Sequence, residues 1–227
     1  IAYGESSLSN GTSVTTPIRP EYVVQSLQDV LPDDVIMALD SGVHRNWFMQ
    51  FWKSRRPQSM LNSWGYSSMG FGVCSVMGAQ LAAPERPCIS VCGDGGFSMT
   101  PYVVATAVEY ELPCVWVVWN NFSWAAIRDI QMGMFGGREH GTAFYGKDGK
   151  KPYNPDFAAW ARACGADGVT ITKSEDLAGA LQQAIRNKRP CVLDVHVDAE
   201  VRPPSTGTWQ LPPTPYKEPA FGKPWVA

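Results

Sequence analysis

Gly93-Asp94-Gly95 closes an apolar run, Cys88-Ile-Ser-Val-Cys92, and a second apolar run, Cys114-Val-Trp-Val-Val-Trp119, ends in Asn120-Asn121. Both runs read as buried strands and the residues between them as a helix. One βαβ unit then places a carboxylate and a carboxamide at the C-terminal ends of two strands, the edge where open α/β sheets bind ligands. An aspartate, an amide oxygen and a nearby backbone carbonyl suit a hard divalent cation such as Mg²⁺, which keeps its remaining positions for phosphate and water. The glycines let the backbone approach a diphosphate, and the following helix offers it free N–H groups. A lone Gly-Asp-Gly fits a surface turn as well. The pairing, each half closing an apolar strand, carries the reading.

The elements that must hold these residues follow from punctuation and periodicity. Pro20 opens a helix over 21–31, with Val23, Val24, Leu27 and Val30 on one face. Residues 35–39 form a short buried strand ended by Asp40-Ser41-Gly42, and a helix follows near 44–52. Small residues over 67–83 predict a closely packed helix that Pro84 ends. A helix spans about 123–132. Gly133 to Tyr153 reads as a polar, mobile loop, and Asn154-Pro155-Asp156 starts a helix over 157–164. A strand over 169–172, a helix capped by Ser174 and running to Asn187, and a strand over 191–197 complete the pattern. Alternating strands and helices predict an α/β domain, a mostly parallel sheet with helices on both faces, over 17–197. Residues 1–16, rich in Ser, Thr and Gly, read as a linker or arm. Residues 198–227 hold seven prolines and read as an extended tail lying over a neighbouring surface.

The 227 residues are 44% hydrophobic and 18% charged, which suits a large globular domain. A net charge of -2 gives no pull toward nucleic acid or anionic membrane, and no apolar run is long enough to span a bilayer. The amino terminus has no signal-peptide pattern and no Met, which reads as a processed or cleaved piece. The six cysteines form no Cys-x-x-Cys pair and sit in apolar patterns; buried reduced thiols, and so a cytoplasmic protein, are expected. Nine tryptophans are many for this length. Trp47, Trp52, Trp64 and Trp124 flank the candidate site, which points to an aromatic-lined pocket or a subunit interface.

The paired motif resembles the thiamine diphosphate signature, and residues 17–197 resemble the diphosphate-binding domain of the acetolactate synthase-like thiamine diphosphate enzymes. The matching segments are Pro17-Ile-Arg-Pro with Leu31-Pro-Asp-Asp, Asp40-Ser-Gly-Val-His44 with Trp47, Ser67-Ser-Met-Gly-Phe-Gly72, and the Gly93 to Asn121 unit with Ala105-Thr-Ala-Val-Glu-Tyr110 inside it. The resemblance implies that Asp94, Asn121 and the Ser123 carbonyl bind Mg²⁺. It implies that the Gly95 and Gly96 amides, beside Gly93, hold diphosphate oxygens, joined by His44 and the backbone of Gly42 and Val43. Ser67 and Met69 would bond the aminopyrimidine through backbone groups, and the Met69 side chain would force the bent cofactor conformation that catalysis needs. His44 could instead cap a helix or bond a backbone carbonyl, and Met69 could be ordinary core. His140 and His196 belong to no motif, Lys147 to Lys151 reads as a solvated loop, and Arg128 and Asp129 fit a solvated helix face as well as a substrate contact.

The helix after the Asn pair would line the substrate pocket through Trp124, Ala126, Ile127 and Ile130. Acetolactate synthases tend to carry Met where Ala126 stands, Trp where Ile130 stands and Gln where Val43 stands. The first two departures count against acetolactate synthesis itself and toward a wider or differently shaped pocket. The family's catalytic glutamate lies on a partner, pyrimidine-binding domain that nothing in these residues resembles; Glu109 and Glu111 fall in shared scaffold. The expectation is therefore the diphosphate-binding half of a carboligase or lyase acting on a 2-oxo acid or related acyl donor. Its pyrimidine domain would arrive in trans, in a homo- or hetero-oligomer such as a dimer of dimers. A split non-oxidative decarboxylase and a non-catalytic cofactor-binding module are the alternatives.

Overall fold

The computed structural model describes residues 16–203. The linker expected over 1–16, save its last residue, and most of the tail expected from 198 lie outside that range. In chain order the elements are α1 (Pro20–Val30), β1 (Ile36–Leu39), α2 (Val43–Phe51), β2 (Met60–Asn62), α3 (Phe71–Ala82), β3 (Cys88–Gly93), α4 (Asp94–Phe97) and α5 (Val103–Glu109). Then come β4 (Val115–Asn120), α6 (Ala125–Met134), α7 (Phe157–Ala163), β5 (Asp167–Ile171), α8 (Ser174–Asn187) and β6 (Cys191–His196). The strands form one sheet in the order β2-β1-β3-β4-β6-β5, and every pairing is parallel.

Near-continuous apolar strands produce this architecture, because a parallel sheet is covered on both faces. Along each strand alternate side chains go to opposite faces. Met37, Leu39, Ile89, Val91, Val117, Trp119 and Leu193 pack with Leu27, Trp47, Phe48 and Leu181, which places α1, α2 and α8 on one face. Ala38, Cys92, Trp116, Val118 and Val192 pack with Val73, Val76, Val104, Phe157 and Ala161, which places α3, α5 and α7 on the other. Each fully buried side chain such as Leu27 or Phe48 stabilises the fold by roughly 1.5–3 kcal/mol relative to an exposed one. Buried Trp116 also ties the sheet to α3, its Nε1 donating to the Val73 carbonyl at 2.9 Å.

Strand order reverses at β1 and β3, since the chain goes from β1 out to β2 and returns to β3 on the far side. Crevices at the carboxyl ends of strands on either side of such a reversal are ligand sites. The loops after β1, β3 and β4 meet there.

Several expectations need correcting. The three-residue edge strand β2 escaped the periodicity reading because its residues are only half-buried and lie among polar ones. Helix α3 starts at Phe71, so Ser67 and Met69 stand in the turn before it; Ser67 at φ 53° and Gly70 at φ 88° are left-handed and incompatible with a helix. Trp47 is core and Trp52 packs against the same cluster, while Trp64 and Trp124 remain exposed. The N-cap of α8 is Lys173, and Ser174 is its fully buried first residue. All six cysteines are free. Among the described residues no helix is long and apolar enough to cross a membrane.

Candidate functional site

A pocket of about 340 Å³ opens at the strand reversal. Its walls come from the β1–α2 turn (Gly42, Val43, His44), the turn before α3 (Met69), the end of β3 and start of α4 (Gly93 to Gly96), and the β4–α6 turn (Asn121, Ser123, Trp124).

The β4–α6 turn is shaped by hydrogen bonds its own sequence supplies. Phe122 has φ 55°, a left-handed conformation costing a non-glycine residue on the order of 1–2 kcal/mol. Two contacts hold it: the Phe122 amide donates to Asn120 Oδ1 at 3.3 Å, and the Ser123 amide to Asp94 Oδ2 at 3.2 Å. The turn brings both Asn121 and Ser123 into the pocket wall. The Ser123 hydroxyl donates to Asn121 Oδ1 at 3.2 Å.

Asp94 is 1% exposed. Its Oδ1 accepts from the Gly95 amide at 2.9 Å, and its Oδ2 also accepts from Asn154 Nδ2 at 2.8 Å. Burial raises its pKa from 3.8 to about 7, against the opposing pull of the Asn154, Gly95, Ser123 and Phe122 donors. Between those values the folded chain holds a proton that the unfolded chain has lost. The stability of the cation-free chain therefore falls as pH rises through that window and levels off above it. A divalent cation held at Asp94 would need the ionised carboxylate, so its binding there should release a proton at about pH 6 and almost none at about pH 8.5. Titration calorimetry in buffers of different ionisation enthalpy reads this directly, and equal proton release at both values would refute it.

Asp40, at the end of β1, is fully buried and pins the turn that carries Met69. Its Oδ2 accepts from the Gly70 amide at 3.0 Å and its Oδ1 from the Gly72 amide at 3.1 Å. Burial raises its pKa, and the same two amides oppose the rise. A Cβ on Gly96 would come within 2.1 Å of Asp40 Oδ2, and one on Gly95 within 2.3 Å of the Trp124 indole and 3.4 Å of the Met69 methyl. Met69 and Trp124 thus meet over Gly95, and only glycine fits between them. Trp124 is steadied edge-on by Phe144, with ring centroids 5.3 Å apart.

The expected site residues converge with particular exceptions. Gly42, Val43, His44, Met69, Gly93, Asp94, Gly95, Gly96, Asn121, Ser123, Trp124, Ala126 and Ile127 all line the pocket. Ser67 and Ile130 do not. The Ser67 hydroxyl accepts from Arg45, whose guanidinium lies 5.2 Å from the Trp64 ring centroid, and Ile130 stands one turn further along α6. His44 bonds the Asp40 carbonyl through Nε2 at 3.0 Å. Burial lowers its pKa to about 3, so the ring is neutral and its single N–H goes to that carbonyl rather than to a ligand. The Gly95 amide is likewise engaged by Asp94. Arg128 is partly buried and outside this pocket: it pairs with Glu139 at 2.8 Å and Glu200 at 3.0 Å, while Asp129 pairs with Arg202 at 3.2 Å.

Sequence reasoning missed Ser41, Met99, Trp119 and Ala125, which also line the pocket, and Asn154, which reaches Asp94 from outside any motif. The signal for Asn154 was present. A helix start needs one capping side chain, and Asp156 is it, accepting from the Ala159 amide at 2.7 Å.

A parallel α/β sheet with a carboxylate, a carboxamide and glycines around a pocket at its strand reversal defines a phosphate-cofactor domain. Residues 40–195 match the thiamine pyrophosphate enzyme family's C-terminal TPP binding domain, and the chain belongs to that family. It is 37% identical over 196 residues to the Bacillus subtilis protein named "Putative thiamine pyrophosphate-containing protein YdaP", covering 86% of this chain and 32% of that one. It is 32% identical over 187 residues to the mitochondrial acetolactate synthase catalytic subunit of Saccharomyces cerevisiae, covering 81% of this chain and 26% of that one. The chain thus spans about a third or less of the length of these curated relatives. The Rhodococcus jostii RHA1 thiamine diphosphate-dependent 4-hydroxybenzoylformate decarboxylase has the same fold, with a TM-score of 0.73 and 24% identity over 82% of this chain and 34% of that one.

Proposed function

We propose that the chain is the diphosphate-binding half of a thiamine diphosphate-dependent enzyme that makes or breaks a carbon–carbon bond beside a carbonyl. The substrate class is a 2-oxo acid or related acyl donor. The observation that carries this reading is the convergence of Asp94, Asn121 and Ser123 on one pocket wall with Met69 on another.

The donor set fits the cofactor and its metal. Among the described residues no group of three or more His, Cys, Asp or Glu stands ready for a metal, which excludes a zinc-type cage. A carboxylate, a carboxamide and a backbone carbonyl are hard oxygen ligands of the kind Mg²⁺ takes together with phosphate. The pocket lining includes no Lys or Arg, so a polyanion can be neutralised here only by a cation that it brings with it. Asp94, Asn121 and the Ser123 carbonyl would hold that cation, and Asp94 supplies the countercharge. Bound thiamine diphosphate supplies an electron sink for the bond that breaks or forms. Met69 would support its bent conformation from the Asp40-pinned turn. Ala126 and the half-exposed Ile127 leave the acceptor side open, which suits a donor or acceptor bulkier than pyruvate.

Among the described residues no glutamate lines the pocket, which supports a proton relay supplied by a second domain facing this one. That pyrimidine-binding domain would sit across an interface of a homo- or hetero-oligomer. The test is calorimetric titration of thiamine diphosphate with Mg²⁺ on the chain alone and with its pyrimidine-binding partner, followed by a 2-oxo acid screen. Mg²⁺-dependent binding, with turnover only in the partnered form, is expected. Absence of binding in both forms would overturn the reading. A hydroxyketone product marks a carboligase, and aldehyde release marks a simple decarboxylase. Met69→Ala should lower kcat of the partnered enzyme by roughly 10- to 100-fold with little change in cofactor Kd, because it loosens a reacting geometry rather than the diphosphate clamp. A loss confined to affinity would contradict that role.

A further inference from the structure

We infer that Asn154 is a positioning residue for the cation site, fixed in its orientation by a buried amide chain that starts at Asp194. This rests on the cofactor reading above. The chain of contacts is Asp194 Oδ1 accepting from Asn120 Nδ2 at 2.8 Å, Asn120 Oδ1 accepting from Asn154 Nδ2 at 2.8 Å, and Asp94 Oδ2 accepting from the same Asn154 Nδ2 at 2.8 Å.

Each link has only one polarity. Asp194 is 3% exposed and its Oδ1 accepts from Asn120, so Asn120 points its NH₂ at Asp194 and its oxygen the other way. That oxygen can be met only by a donor, so Asn154 must turn its NH₂ inward. One amide nitrogen then gives its two hydrogens to two acceptors, Asn120 and Asp94. A flipped Asn154 would set its own oxygen against an oxygen on both sides.

The consequence falls on Asp94. Its Oδ2 already accepts from Ser123, and with Asn154 added that oxygen is saturated. Oδ1 accepts from the Gly95 amide at 2.9 Å, which makes it the oxygen with room for a cation. Asn154 therefore selects which carboxylate oxygen binds metal and holds the carboxylate plane. It also anchors a strand-like excursion to the site: the Tyr153 amide donates to the Phe144 carbonyl at 3.0 Å, and the Phe144 amide to the Phe122 carbonyl at 2.7 Å. The loop end that looks most remote in sequence is thereby stitched to the turn bearing Ser123.

Loss of an outer-shell hydrogen bond to a metal ligand typically weakens metal affinity by about 10- to 100-fold. In the full chain with its pyrimidine-binding partner, Mg²⁺ is titrated calorimetrically at saturating thiamine diphosphate against wild type, Asn154→Ala, Asn120→Ala and the double variant. Asn154→Ala should raise the Mg²⁺ Kd about 10-fold or more. Asn120→Ala should raise it too, since its Oδ1 holds both Asn154 and the Phe122 amide in the turn that carries Ser123, and the double variant should fall short of the product of the two single changes because both remove the Asn120–Asn154 link. Circular dichroism melting of the cation-free proteins separates a structural role: equal Mg²⁺ affinity with a lowered Tm would overturn the inference, as would full additivity of the two changes. Absent Mg²⁺ uptake by wild type would instead fail the cofactor reading and this inference with it. Normal wild-type uptake with an unaffected Asn154→Ala would fail the role of Asn154 alone.

Discussion

Asp94→Ala is expected to abolish Mg²⁺-dependent binding of thiamine diphosphate, with a loss beyond the roughly 100-fold that outer-shell changes reach. The substitution removes the pocket's only anionic side chain and strands the Gly95 and Ser123 amides and the Asn154 carboxamide without their acceptor. No lysine or arginine lines the pocket to hold the diphosphate in its place. Titration calorimetry with and without Mg²⁺ measures the effect, and wild-type affinity at saturating Mg²⁺ would remove Asp94 from the site. Asp94→Asn separates charge from shape. It keeps an acceptor oxygen but not the charge, so it should lose cation binding as well. Its NH₂ must also face either the Gly95 amide or the Ser123 and Asn154 donors, so the variant gives up an acceptor as well as the charge.

Gly72→Ala should damage the fold strongly, while Gly78→Ala in the same helix should stabilise it. A Cβ on Gly72 would lie 2.5 Å from the Asp40 amide nitrogen and 2.8 Å from Asp40 Cα, backbone that has no rotamer with which to yield. Overpacking of this kind costs about 3 kcal/mol. Replacing a helical glycine by alanine gains about 1 kcal/mol, so the clash prevails and the net loss is about 2 kcal/mol. For a domain of this size that lowers Tm by roughly 4–8 °C. Gly78 has nothing within 4 Å of its added Cβ and keeps only the gain. Thermal melts of both variants decide the matter, and an unchanged or raised Tm for Gly72→Ala would show that the β1 end yields to α3. The same displacement should disturb Asp40, the Gly70 amide and so Met69, coupling the stability loss to turnover.

Much of the architecture was legible because the interior strands are apolar throughout. Residues 88–92 and 114–119 could be read as buried parallel strands because both faces of such a sheet are covered. β2 could not, since an edge strand of three half-buried residues needs no apolar pattern. The start of α3 was misplaced because Ser67, Ser68 and Gly70 are small residues that fit a packed helix as well as a turn; the left-handed Gly70 just before the helix is held by Asp40, a residue distant in sequence. Trp47 and Trp52 looked like pocket residues from their nearness to His44 in sequence, but the 3.6-residue period of α2 turns Trp47 into the core, and Trp52, just past its end, packs against the same cluster.

By itself the sequence determined the chemical set: a carboxylate and a carboxamide at the ends of adjacent strands, glycines beside them, and a methionine within a run of small residues. Those are local properties, because strand ends and glycine turns are encoded by residues next to one another. Tertiary structure decided which atoms remain available. It engaged the His44 N–H with a carbonyl and the Gly95 amide with Asp94, left Ser67 and Ile130 outside the pocket, and brought in Asn154 across 60 residues. Hydrogen-bond polarity is settled by partners distant along the chain, and a chain read residue by residue does not show who those partners are.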